Sequence, residues 1–214
     1  MKRNLTLLIL LFVSFSNPSL SETKDDLVER NNLIYKKFSD VPFSGVLEGQ
    51  WDGEFKDGKK VGLWRIYYVN GQLREKGSYI DGIKDGYWEK FLDDGKNIYK
   101  GFWKNGKREG LWEFYFEGQL ELKGSFVDGK PTGIWEDYYK GYLFEKGTPH
   151  SLLIDNYGPY LIKDGYWVRF YENGNVFEEK NYKEGKLDGE YKLYNEDGSF
   201  RERSFFKDGE EVDE

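Results

Sequence analysis

Phe55-Lys56-Asp57-Gly58-Lys59-Lys60-Val61-Gly62-Leu63-Trp64-Arg65-Ile66-Tyr67 holds the whole pattern of the chain: a ring, a turn glycine, a Gly-x-Trp triplet and a second ring. The triplet recurs at Gly62-Trp64, Gly86-Trp88, Gly110-Trp112, Gly133-Trp135 and Gly165-Trp167, and degrades to Gly189-Glu190-Tyr191. Nine residues before Trp64, Trp88, Trp112 and Trp135 stands an aromatic at Phe55, Tyr79, Trp103 and Phe126, with Tyr182 in the same relation to Tyr191, and three residues after the Trp position another at Tyr67, Phe91, Tyr115, Tyr138, Phe170 and Tyr194. Only the interval from Trp135 to Trp167 departs from a period of 23 or 24 residues. A fixed period of this length marks a repeat architecture.

Each unit carries two turn signals. Asp57-Gly58, Asp81-Gly82, Asn105-Gly106, Asp128-Gly129, Glu184-Gly185 and Asp208-Gly209 form the first set, and Asn70-Gly71, Asp94-Gly95, Glu117-Gly118, Lys140-Gly141, Asn173-Gly174 and Asp197-Gly198 the second. Such pairs accept the positive φ of hairpin turns, and the runs between them are rich in aromatic and β-branched residues. Two reversals per unit leave two strands of about six residues, the common strand length. The predicted fold is all-β, an elongated antiparallel meander of about six 24-residue hairpins. A glycine or glycine pair about every 8 to 13 residues, with no apolar stripe at helical spacing between, excludes substantial helix.

Zero Cys and a single His exclude a disulfide scaffold and most metal centres, and no metal, cofactor or catalytic residue is expected. A net charge of −7 argues against nucleic acid, which needs a basic stripe. Met1-Lys2-Arg3, the apolar run from Leu5 to Phe15 and Ser19-Leu20-Ser21 read as a signal peptide over residues 1–21, giving an exported, periplasmic or secreted product cleaved near Ser21. The run is too short to span a bilayer. Loss of Lys2 and Arg3 takes −7 to −9, and such a chain offers anionic membranes no polybasic patch.

Residues 22–45, with Asn31-Asn32 between two apolar runs, read as an N-terminal cap with a hairpin, and residues 46–214 as the array. The long interval holds an irregular insertion near 148–160, read first as a decayed unit and second as a binding loop. His150, Ser151 and Asp155 supply the residue types of a hydrolase triad, and Asp93-Asp94 or Glu178-Glu179 those of a glycosidase. Neighbouring positions rarely converge into such sites, and solvated turns and faces are the preferred reading.

The unit aromatic-x-[Asp/Asn]-Gly-Lys-x-x-Gly-x-Trp-x-x-Tyr resembles the MORN repeat, and more closely its bacterial variant. Leu33-Ile34-Tyr35, Pro42-Phe43-Ser44-Gly45 and Asn70-Gly71-Gln72-Leu73 resemble the start of the YwqK family of toxin-antitoxin system antitoxins. The resemblance implies a non-enzymatic β-repeat scaffold for protein contacts. Side chains alternate along a strand, so the Trp and +3 rings belong on opposite faces. The Gly-x-Trp residues are expected to be structural, and Tyr67, Tyr68, Tyr115, Tyr138 and Tyr139 are the candidate partner-binding aromatics. The expected partner is a protein; carbohydrate or peptidoglycan stacking on the rings is the alternative, and antitoxin-like neutralisation of a partner a second one.

Overall fold

The computed structural model describes residues 22–155 and 158–213; the expected signal peptide, residues 1–21, lies outside them. One 3-10 turn, Lys24–Asp26, precedes the strands. β1 (Leu27–Arg30) and β2 (Leu33–Lys36) pair as a two-stranded sheet. The main sheet begins with β3 (Gly45–Leu47), β4 (Trp51–Lys56), β5 (Lys59–Tyr67) and β6 (Leu73–Ile80). β7 (Ile83–Lys84) and β8 (Gly86–Phe91) are two halves of one strand, both paired with β6 and interrupted at Asp85, whose N–H donates to the Ser78 carbonyl. There follow β9 (Asn97–Lys104), β10 (Lys107–Phe116), β11 (Gln119–Val127), β12 (Lys130–Tyr139), β13 (Tyr142–Asp155), β14 (Gly158–Phe170), β15 (Val176–Lys183), β16 (Lys186–Tyr194), β17 (Phe200–Lys207) and β18 (Glu210–Val212).

The main sheet has 16 strands, is antiparallel throughout and follows chain order from β3 to β18. At about 4.8 Å per strand it extends for roughly 70 Å. Its strands reach eight to ten residues in most units, longer than the six expected from glycine spacing. The first turn set explains the difference: Asp57 and Gly58 both have positive φ (49° and 78°), as do the five equivalent pairs, so only two residues are spent on each reversal. That is the primed turn, whose twist matches the strands it joins.

Glu184 occupies the first central position of such a turn at φ 49°, where its relatives are Asp or Asn. A left-handed backbone is unfavourable for Glu and tolerated by Asn. Glu184→Asn is expected to raise stability by about 0.5–1 kcal/mol, read as a higher urea midpoint with an unchanged m-value.

At the amino-terminal end the Asn31-Asn32 turn (φ 51° and 62°) closes the β1–β2 hairpin. It is tied to the array through backbone bonds: Ile34 N–H to Gly58 O at 2.9 Å, Gly58 N–H to Phe43 O at 2.8 Å and Phe43 N–H to Ile34 O at 2.8 Å. Leu27 and Ile34 cover a buried cluster of Phe43, Leu47, Phe55 and Trp64.

The eight additional residues of the long interval do not form a loop of their own. They lengthen the β13–β14 hairpin to strands of 14 and 13 residues, with pairing continued to Asp155 and Gly158. Leu152 and Leu161 on this extension pack against the central cluster of Trp112, Phe114, Leu122, Phe126 and Trp135. Hydrophobic cover holds the segment in register, a role that sequence spacing alone does not convey.

Candidate functional site

The five tryptophans Trp64, Trp88, Trp112, Trp135 and Trp167 are 0–1% exposed although they belong to a single sheet. The local backbone explains how. Gly110 of the triplet has φ +65°, a left-handed conformation that side chains resist, and the register of β9 and β10 shifts between Glu109 and Trp112. The triplet glycine therefore makes a β-bulge, which re-aims the residue that follows. Each indole lies flat over a glycine eleven or, at Trp167, twenty residues earlier: Gly53, Gly77, Gly101, Gly124 and Gly147. In Trp64, Trp88, Trp112 and Trp167 the indole N–H donates to a backbone carbonyl beside it, Phe102 O at 2.9 Å for Trp112 and Ser78 O at 3.1 Å for Trp88, whereas the buried Trp135 N–H has no acceptor.

A row across the sheet thus alternates ring and bare backbone, Trp88–Gly101–Trp112–Gly124 among its members. The rings nine residues earlier complete the cover edge-on. Phe55–Trp64, Tyr79–Trp88, Trp103–Trp112 and Phe126–Trp135 have centroids 4.8–5.5 Å apart and planes crossed by 79–89°. The pairs form as expected, edge to face rather than stacked.

Toward the carboxyl end this arrangement changes. Lys180 takes the glycine place and Tyr191 the tryptophan place in the same row. Lys180 contacts Glu178 at 2.5 Å and Glu145 at 3.9 Å, Arg169 reaches Glu178 at 3.1 Å, Tyr191 donates to Glu178 at 2.7 Å, and Lys163 pairs with Glu145. An ionic network fills the volume that an indole occupies elsewhere. Beside it a cavity of about 170 Å³ is lined by Glu121, Asp137, Lys163, Trp167 and residues of the long hairpin. Asp137 lies directly opposite Glu145 on the neighbouring strand. Burial, reinforced by the Glu145 and Glu121 charges, pushes its carboxyl up to about 6.

The opposite face is open. One cross-strand row runs Asp52, Arg65, Lys76, Glu89, Lys100, Glu113, Lys123, Glu136, Lys146 through consecutive pairings. Arg65–Asp52, Lys76–Glu89, Lys100–Glu113 and Lys123–Glu136 are ion pairs at 2.5–3.3 Å. The Lys123 ammonium holds the Glu136 carboxyl below its ordinary range. Such cross-strand pairs contribute about 0.2–1 kcal/mol each and oppose register slips. Next to this ladder the middle residue of every triplet points outward: Leu63, Tyr87, Leu111, Ile134 and Tyr166 are 43–64% exposed, joined by Phe102 beside Tyr87.

The predicted contact residues do not gather into one site. Tyr115 and Tyr138 lie on the open face and donate to the ladder carboxylates Glu113 and Glu136 at 2.6 and 2.8 Å. Tyr68 donates to Phe91 O at 2.7 Å, as Tyr171 does to Tyr194 O at 2.9 Å, stapling one unit to the next. Tyr67 and Tyr68 line a shallow groove with Gly49, Gln50 and Val69. Tyr139 is exposed, its ring 6.1 Å from Tyr142 and 6.0 Å from Phe144. Glu178 and Glu179 face opposite sides of the sheet, one in the buried network and one in the ladder row, and Asp94 pairs with Lys96 at 2.9 Å in a turn. His150 and Ser151 are successive residues of β13. Among the described residues no cluster of three or more His, Asp or Glu side chains is arranged to hold a metal ion.

Sequence reading missed the seat glycines and the outward triplet residues. The glycines did leave a signal, Gly-x-aromatic in Gly53-x-Phe55, Gly77-x-Tyr79, Gly101-x-Trp103 and Gly124-x-Phe126.

Residues 60–81, 163–184 and 187–208 match the family described as MORN repeat variant. Three of the chain's units are MORN-type repeats. The matched segment 60–81 starts just after one two-residue turn and ends in the next, and contains the Trp64 strand and the Gly77 strand that follows; 163–184 starts within β14 and carries Lys180 at the glycine place, and 187–208 carries Tyr191 and Ser204 at the two places. A comparison with curated proteins gave no match.

Proposed function

We propose that this MORN-repeat chain is an exported, non-enzymatic scaffold that binds a partner protein through its open face. The observation that carries the reading is the stripe of Leu63, Tyr87, Phe102, Leu111, Ile134 and Tyr166, one or two exposed apolar residues per unit beside an ordered charge ladder. Large apolar side chains repeated along one exposed face are what a protein partner desolvates, and the flanking charges set orientation and register. Sugar stacking is the weaker reading, because the five triplet indoles are sealed and leave only the scattered open-face rings for it.

The test uses the chain from residue 22 as bait in an envelope extract, beside a Leu111→Asp/Ile134→Asp double variant. Both positions are more than half exposed, so folding is expected to be unchanged. A protein retained by the parent and lost by the double variant supports the reading. Retention indifferent to the substitutions, or saturable calorimetric binding of cell-wall glycan fragments in its place, overturns it.

A further inference from the structure

Four units place a cation four residues before the Trp, on the buried face: Lys60, Lys84, Arg108 and Lys163. Each lies over its ring, with Lys84 Nζ 3.7 Å from the Trp88 centroid and Arg108 Cζ 5.0 Å from that of Trp112. In two copies a carboxylate of the chain completes the site. Lys84 Nζ lies 2.6 Å from Glu75 Oε1, and Lys163 pairs with Glu145.

Arg108 has no such partner. The place of Glu75, nine residues before the cation, is held by Tyr99 in its copy. Among the described residues the Arg108 guanidinium makes neither a hydrogen bond nor an ion pair, and its Nε is sealed from solvent without an acceptor. The rings of Trp103, Trp112, Phe114 and Phe126 surround it with centroids 5.0–5.9 Å away. Nε is the only one of its nitrogens so sealed, and the residue keeps part of its surface in solvent. Burial works against its charged form with no carboxylate in reach to offset it, whereas Lys60, the other cation without an ion pair, feels Glu75 and Glu29. Buried cations are ordinarily paired, and the guanidinium fork fits a carboxylate through two parallel N–H bonds.

We infer that Arg108, held in its aromatic frame, is a binding subsite for a carboxylate from outside the chain, which supplies the pairing that Lys84 finds in Glu75. The subsite lies on the face opposite the ladder and stands or falls separately from the partner surface proposed above.

The probes are acetate, for a free carboxylate, and a blocked glycine peptide carrying one Glu, with its Gln counterpart as control, for an acidic side chain. The readout is the Arg108 Nε–Hε NMR signal together with Tm. A saturable shift with acetate, absent with sodium chloride at equal ionic strength, is the expected result. A stronger response to the Glu than to the Gln peptide assigns the source to a polypeptide, no response to either peptide beside a response to acetate assigns it to a free carboxylate, and an equal response to both peptides overturns the inference. Tyr99→Glu copies the Glu75 arrangement and is expected to abolish the response. Arg108→Met is expected to remain folded in carboxylate-free buffer and to lose any acetate-induced rise in Tm, which covers the case in which Tyr99→Glu does not fold. No saturable shift, an equal chloride effect, or a response surviving in either variant overturns the inference.

Discussion

Gly124→Ala is expected to lower stability by about 3 kcal/mol or more, a large effect for a single added methyl group. The new Cβ would meet Trp135 at 2.1, 2.3 and 2.4 Å on three ring atoms, and Trp135 is fully buried with Phe114 and Phe126 against it. Neither side gives way easily: the glycine is backbone in a central strand, and the ring is stacked on Phe114 and crossed by Phe126. Overpacked cores lose about 1–3 kcal/mol when neighbours can relax, so a locked site lies at or above that range. Denaturant midpoints of Gly124→Ala, Trp135→Leu and the double variant check the mechanism. The double variant should be less destabilised than the sum of the singles, because the second change removes the obstruction created by the first. Additive losses would show that the glycine has another role.

Asp137→Asn is expected to stabilise the protein at pH 8 by about 1–3 kcal/mol and to have no effect near pH 3. The sign follows from the direction of the shift. The folded carboxyl keeps its proton up to about pH 6, whereas the unfolded one releases it near 3.8. Between those values the unfolded state binds fewer protons, so each step upward in pH weakens the fold. Above about 6 the loss is complete and constant, and below about 3.8 both states are protonated and the residue is neutral in effect. Partial solvent contact of the side chain places the value below the full product of the shift. Urea titrations of both proteins from pH 3 to 8 read the difference directly. A gap that stays constant across the range would mean that Asn changes packing rather than charge.

The meander, its direction and its period are legible in the sequence because Asp-Gly and Asn-Gly pairs act locally. A turn that needs two residues of positive φ writes itself into two adjacent letters. What escaped reading is relational. That Gly101 is a seat for Trp112, rather than a flexible strand residue, depends on a bulge at Gly110 that turns the indole inward, and no single triplet shows it. The outward place of Leu111 follows from the same bulge. The replacement of Gly and Trp by Lys180 and Tyr191 is visible as decay in the sequence, but its compensation by Glu145, Glu178 and Arg169 comes from three different strands. Among the candidate contact residues, Tyr68 illustrates the same limit: its hydroxyl is committed to the carbonyl of Phe91, 23 residues away.

Each triplet indole rests on a glycine belonging to the strand before it, so the natural cassette is out of phase with the matched MORN segments. It runs between the far loops, from Gly71 to Asp94, rather than between the tight turns. Excising those 24 residues would join Asn70 to Gly95 and deliver Gly101 to Trp64 at the spacing Gly77 now has. Duplication or deletion in that frame changes the length of the ribbon without unseating a single indole, and tandem growth of such a gene need preserve little else.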